Sequence, residues 1–167
     1  PCQYLGADQG ACLRRYWTDA RFAPEVVDAA NLALDVLKAR SGAQKLVLVG
    51  YSGGGAVAAL VAARRPDVER LVTLAGNLDH QAWTRHHGLQ PLAESLSPAD
   101  QVELLRSIPQ WHFVGEKDKL IPPALAQGFA KRFPSGHQPR VIVEANFDHQ
   151  CCWAENWQRL FSEVTSP

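Results

Sequence analysis

The sequence predicts an α/β fold of three layers, αβα, with helices on both faces of a mainly parallel sheet. Two observations predict it. Four short apolar runs bounded by turn residues read as buried strands, and helical patterns alternate with them. A strand that returns parallel to its predecessor needs a crossover, and a helix is the usual one. The 167 residues are enough for one domain with its own core, taken as residues 1–167. At 46% hydrophobic and 20% charged, the composition excludes a disordered, collagen-like or coiled-coil chain.

Residues 1–23 read as irregular, with glycines and the aromatics Tyr4, Tyr16, Trp17 and Phe22. Pro24 suits a first helical turn, and Glu25 favours its positive end. Val27, Ala30, Leu34 and Leu37 then recur at helical spacing until Ser41-Gly42. The first strand runs from Lys45 to Gly50, followed by a tight turn at Tyr51–Gly55 and an alanine-rich helix from Ala56 to Arg65 that stops before Pro66. A second strand covers Leu71–Ala75. The polar stretch 77–109 reads as an insertion, with a lid-like helical part at about residues 78–107 and a helix over Ala99–Ser107. The third strand is Gln110–Gly115, the next helix Pro123–Phe133, and the fourth strand Arg140–Glu144. A final helix over Cys152–Val164 carries Trp153, Trp157, Leu160 and Phe161 on one side.

Charge and cysteines narrow the function classes. Lys plus Arg is 17 and Asp plus Glu is 17, so no net charge draws the chain to nucleic acid or an anionic surface. No apolar run approaches the ~20 residues of a membrane-spanning helix. The chain has no Met and begins at Pro1, which predicts a processed or excised N-terminus. Cys2, Cys12, Cys151 and Cys152 show no Cys-x-x-Cys spacing and no His at ligand spacing, so no metal is expected. Cys2 and Cys12 flank a glycine-containing loop that fits either a disulfide or two free thiols. A bridge there would place the chain in an oxidising space, periplasmic or secreted. Adjacent cysteines rarely bond to each other, so Cys151 and Cys152 are expected to have partners elsewhere or to be buried thiols.

Gly50-Tyr51-Ser52-Gly53-Gly54 is a Gly-x-Ser-x-Gly between an apolar strand and an alanine-rich helix. Such a turn lifts the serine hydroxyl clear of the sheet, and the two glycines are expected where strand and helix backbones leave no room for a Cβ. The helix start presents free N–H groups. A serine needs a base, and the base an orienting acid. Asp118 follows the third strand in Gly115-Glu116-Lys117-Asp118, and His149 follows the fourth in Asn146-Phe147-Asp148-His149. In a parallel sheet these strand ends share one edge, where ligands bind.

With its residues in the order Ser52, Asp118, His149, the chain resembles the C-terminal part of an α/β-hydrolase-fold serine hydrolase, over about residues 24–164. The resemblance implies that Ser52 is the nucleophile, His149 the general base and acid, Asp118 the residue that orients it, and Gly53 N–H an oxyanion donor. Members usually have further strands and an oxyanion loop before the nucleophile strand. Here those parts either belong to a removed N-terminal piece or are trimmed away. A lone oxyanion donor would weaken catalysis by on the order of 10²–10³.

The expected activity is hydrolysis of an ester-like acyl bond in a small-molecule substrate, with no cofactor. A peptidase or acyltransferase with the same triad, and a non-catalytic binding domain of the same ancestry, remain as alternatives. The oligomeric state is not specified. Tyr51 and Trp83 are candidate substrate contacts, and Leu89 and Leu92 candidate pocket residues. Among competing groups, Glu116 sits inside its turn, and Asp148 is expected as a loop or capping carboxylate. His112 lies within a strand as a core or edge residue. Asp79, His80, His86 and His87 match no standard metal-ligand set and are expected to be solvated or to line a pocket. Cys151 and Cys152 are expected to pack the last helix rather than to act as nucleophiles, since Ser52 fills that place.

Overall fold

The computed structural model describes residues 12–165. Four parallel strands lie in the order β1-β2-β3-β4: β1 (Leu46–Tyr51), β2 (Val68–Leu74), β3 (Gln110–Gly115) and β4 (Arg140–Glu144). The order follows the chain, because each crossover carries the next strand one place along the sheet. Register brings Tyr51 beside Leu74, Leu74 beside Phe113, and Gly115 beside Glu144. The carboxyl ends of the strands therefore share one edge.

The helices are α1 (Pro24–Ser41), α2 (Gly53–Ala62), α3 (His80–His87), α4 (Val102–Leu105), α5 (Pro123–Ala130) and α6 (Trp157–Thr165). Strand side chains alternate between two cores. On one face Leu48 and Leu71 pack with Val27 of α1, with Ala56, Ala59 and Leu60 of α2, and with Phe129 of α5. On the other, Val72, Leu74 and Phe113 pack with Leu160 and Val164 of α6. A sheet covered on both faces explains why its strands read as continuous apolar runs. β1 departs from this, alternating buried with half-exposed residues; Val47 and Val49 remain 40% and 44% exposed.

Several boundaries differ from the sequence reading. α2 starts at Gly53, three residues before the predicted Ala56 (56 − 53), because the turn itself supplies the first helical residues. β2 begins at Val68, where Val68 pairs with Leu46. α3 was not expected as a helix. Its ends are well specified: Asp79 Oδ1 accepts from Ala82 N at 2.8 Å, and Gly88 closes it in the left-handed conformation at φ 63°. α4 is shorter than predicted, and a 3-10 turn at Pro98–Asp100 precedes it. α5 ends at Ala130, with Phe133 still in the core beyond it. α6 starts at Trp157, because residues 151–156 form turns.

One cysteine expectation is corrected. Cys151 and Cys152 are bonded to each other: a cis peptide sets their Cα atoms 3.2 Å apart and turns both sulfurs to the same side. The Cys2–Cys12 expectation lies outside the described residues at Cys2; Cys12 is disulfide-bonded. Among the described residues, no helix is long and apolar enough to cross a membrane.

Candidate active site

β1 ends in a sharp turn at Ser52, which adopts φ 52° and ψ −122°, a region costly for a residue with a Cβ. Backbone hydrogen bonds hold it there. Ser52 N donates to Leu74 O at 2.9 Å, and Ser52 O accepts from Gly55 N at 3.0 Å and Asn77 N at 3.1 Å. A Cβ at Gly50 would lie 2.3 Å from Gly54 O, so the first glycine of the motif is required by close approach. The second is not: a Cβ at Gly54 would meet nothing within 4 Å. This corrects the reading that both flanking glycines are steric. The second tight position is Gly55, where a Cβ would come within 2.9 Å of Gly76 Cα.

Ser52 precedes α2 but makes no side-chain cap; its Oγ lies 2.9 Å from His149 Nε2 instead. His149 Nδ1 is 2.8 Å from Asp118 Oδ2. Asp118 is 3% exposed, and its other oxygen accepts from Leu120 N and Ile121 N, both at 2.8 Å. Facing three donors, the carboxylate takes the proton-bearing Nδ1 of His149 as its partner, which leaves Nε2 to accept from the serine hydroxyl. The N–H of Gly53, first residue of α2, has no intrahelical acceptor.

The competing residues are placed elsewhere. Glu116 is exposed and accepts from Asn146 N. Asp148 turns away from the histidine ring, and its Oδ1 accepts from Gln150 N at 2.8 Å and Cys151 N at 2.7 Å. Those two backbone donors, Cys151 first, hold its carboxyl below the usual range. His112 is fully buried, its Nδ1 2.9 Å from Thr73 Oγ1, and burial pushes its pKa down to about 3. Asp79 caps α3 and pairs with Arg132 at 2.7 Å. His80 is buried against Phe22, and its burial favours the neutral ring. Among the described residues, no group of three or more His, Cys, Asp or Glu is placed to hold a metal ion.

An open cavity of about 990 Å³ reaches Ser52 and Gly53. Its walls are mostly apolar: Phe22, Ala30, Leu34, Val57, Leu92 and Ile121 contribute, with Tyr51 and Trp83 at the Ser52 end of the lining. Leu89, expected beside Leu92, is half exposed and does not line it. α3 is tied down near this opening. Trp83 Nε1 donates to Leu120 O at 3.0 Å, and His87 Nε2 donates to the same oxygen at 2.8 Å. Leu120 is also the residue whose N–H binds Asp118, so α3 is fastened to the turn that carries the acid.

Tyr51 does more than line the cavity, which the sequence reading missed. Its hydroxyl donates to His149 O at 2.7 Å, across 98 residues of chain. No local signal announces this bond, because it depends on how the His149 loop packs.

The structure is similar to several solved ones at low identity. One is an α/β-hydrolase enzyme, MGS-MChE2, from the metagenome of lagoon sediments of Mar Chica, Morocco: 17% identity, TM-score 0.62, covering 83% of this chain and 68% of that one. A second is an α/β serine hydrolase homologue from Coxiella burnetii: 16% identity, TM-score 0.65, covering 96% and 63%. A third is a monoacylglycerol lipase from Paleococcus ferrophilus: 15% identity, TM-score 0.57, covering 83% and 74%. The chain thus spans about two thirds of the length of these structures. No curated protein matches the sequence. The family described as the alpha/beta hydrolase fold matches residues 7–90, half of the chain, and includes α1, β1 and the Ser52 turn. This chain belongs to the alpha/beta hydrolase fold family.

Proposed function

We propose that this chain hydrolyses ester-like acyl bonds in small, apolar substrates through an acyl-enzyme on Ser52. The observation that carries this reading is the hydrogen-bonded series Ser52 Oγ, His149 Nε2, His149 Nδ1 and Asp118 Oδ2, with steps of 2.9 and 2.8 Å. In the first half-reaction Ser52 Oγ attacks the substrate carbonyl as His149 Nε2 takes its proton. Asp118 keeps the ring oriented and stabilises the imidazolium. Gly53 N–H faces the oxygen that gains charge. The carbon–oxygen bond to the alcohol breaks, and His149 returns its proton to that alcohol. In the second half, water gives a proton to His149 and attacks the acyl carbon, releasing the acid and restoring Ser52.

The apolar cavity favours an acyl or alcohol group with little polarity, since burying unpaired polar groups there is costly. Tyr51 and Trp83 contribute aromatic surface to that pocket. The segment at about residues 78–107 serves as its lid, with α3 fastened through Leu120.

Turnover of p-nitrophenyl butyrate and labelling by a fluorophosphonate probe test the proposal. Ser52→Ala should abolish labelling and cut kcat by at least ~10³, and His149→Ala should cost about as much. The double variant should be little worse than either, because the residues act as a unit. Labelling that persists in Ser52→Ala would remove the nucleophile assignment. A correctly folded wild-type protein that neither labels nor turns over ester would favour the non-catalytic binding reading.

A further inference from the structure

We infer that Tyr51 is a positioning residue for the general base: its hydroxyl fixes the backbone of His149 and so the aim of the imidazole at Ser52. This rests on the function proposed above.

The His149 carbonyl can accept two hydrogen bonds, and it receives two. Tyr51 Oη donates at 2.7 Å and Trp153 Nε1 at 3.0 Å. A carbonyl with both acceptor directions filled cannot rotate without losing a bond, so the direction of the His149 main chain is set. The two donors come from opposite sides. Trp153 is 5% exposed and stacks edge-on against Phe147 at 5.0 Å, which anchors it to the core beneath the loop. Tyr51 comes from the end of β1 and is the neighbour of Ser52. Its ring also lies 5.4 Å from the imidazole, tilted by 38°. The strand end that presents the nucleophile therefore also holds the base, and the two move together. The phenol suits this task, since burial and the charges of Asp118 and Asp148 keep it in its protonated, donating form.

The same carbonyl bond argues against Tyr51 Oη as a hydrogen-bonding contact to substrate, because its proton is already committed to His149 O. The ring still lines the cavity. The two roles separate in kinetics, since positioning of a base acts on kcat and a substrate contact acts on KM.

The experiment compares Tyr51→Phe and Trp153→Phe with the parent chain, using p-nitrophenyl butyrate, fluorophosphonate labelling, melting temperature and the NMR signals of the His149 imidazole. Tyr51→Phe keeps the ring and removes one hydroxyl. It should lower kcat about tenfold, leave KM within about twofold, slow labelling in proportion, and shift the His149 Nδ1 proton resonance. Trp153→Phe should act in the same direction. Unchanged kcat and an unmoved His149 signal in Tyr51→Phe would overturn the inference, as would a rise in KM alone. Should the parent chain turn over no ester, the function reading fails separately. The His149 resonance then decides the positioning role: a shift in Tyr51→Phe supports it, and no shift overturns it.

Discussion

The two halves of the site are built by opposite means. The Ser52 turn is held by its own backbone: Leu74 O, Gly55 N and Asn77 N bind Ser52, and Gly50 lies against Gly54 O. The His149 loop is held mainly by side chains. Tyr51 and Trp153 bind its carbonyl, Asp148 binds two of its N–H groups, and Lys117 Nζ donates to Asn146 Oδ1. A backbone-held element tolerates no added atom at its contact points. A side-chain-held element loses one bond at a time. Changes in the turn should therefore be abrupt and chiefly destabilising, and changes in the loop graded and chiefly kinetic.

Gly50→Ala should show the largest effect. The new Cβ would sit 2.3 Å from Gly54 O and 2.6 Å from Gly55 Cα, both backbone atoms that cannot swing aside. Forcing strand and helix apart should cost about 3 kcal/mol or more. At ~2–4 °C per kcal/mol for a chain of this size, melting should fall by roughly 6–12 °C. A variant that melts with the parent would show that the turn yields more easily than its backbone contacts imply.

This contrast also explains what could be read from sequence. The turn is local, so Gly50, Ser52 and the flanking strand and helix announce it within about ten residues. The bounds of β3 and β4 were legible for a similar reason, as apolar runs closed by turn residues. Ser52, Asp118 and His149, the residues found within hydrogen-bond reach of one another, were each named from motifs at strand ends. The Tyr51–His149 bond was not legible, because the donor and the acceptor are far apart in sequence and neither residue type requires the other. α3 was missed because His80–His87 has no apolar stripe; only Asp79 and Gly88 mark it, and both were read as loop residues. The Cys151–Cys152 bond and the late start of α6 belong to the same loop, whose turns carry no periodicity.

The layer behind the turn gives the second prediction. Thr73 lies beneath Gly55 and Gly76 and binds the buried His112. Burial lowers the folded pKa of His112 from 6.5 to about 3. Between those values the unfolded chain binds more protons than the folded one. Stability should therefore fall as pH drops from about 6.5 toward about 3, by up to ~1.4 kcal/mol per pH unit from this group. Urea midpoints measured from pH 7 to pH 4 should decline more steeply in the parent than in His112→Asn. Equal slopes would remove His112 as the cause of acid sensitivity behind the turn.

Asp148→Ala tests the loop. The carboxylate binds Gln150 N and Cys151 N, on the far side of His149 from the acid. Its removal leaves Tyr51, Trp153 and Asp118 in place, so the histidine should stay near its position with more freedom. A drop in kcat of roughly threefold with little change in melting temperature is expected. A loss as large as that of His149→Ala would mean that this single carboxylate, rather than a set of side chains, holds the loop.

Gly54→Ala should have the smallest effect and the opposite sign. The motif suggests that Gly54 is needed as Gly50 is, yet its added Cβ would meet nothing within 4 Å. Gly54 lies in the first turn of α2, is exposed, and does not adopt a left-handed backbone. Alanine can take that conformation, and it narrows the unfolded ensemble more than glycine does. The variant should gain roughly 0.5 kcal/mol. Melting curves of Gly54→Ala and Gly50→Ala, run side by side, should move apart in opposite directions. If Gly54→Ala instead loses as much as Gly50→Ala, close approach at Gly50 is not what sets this turn's glycines, and backbone freedom at the start of α2 takes its place.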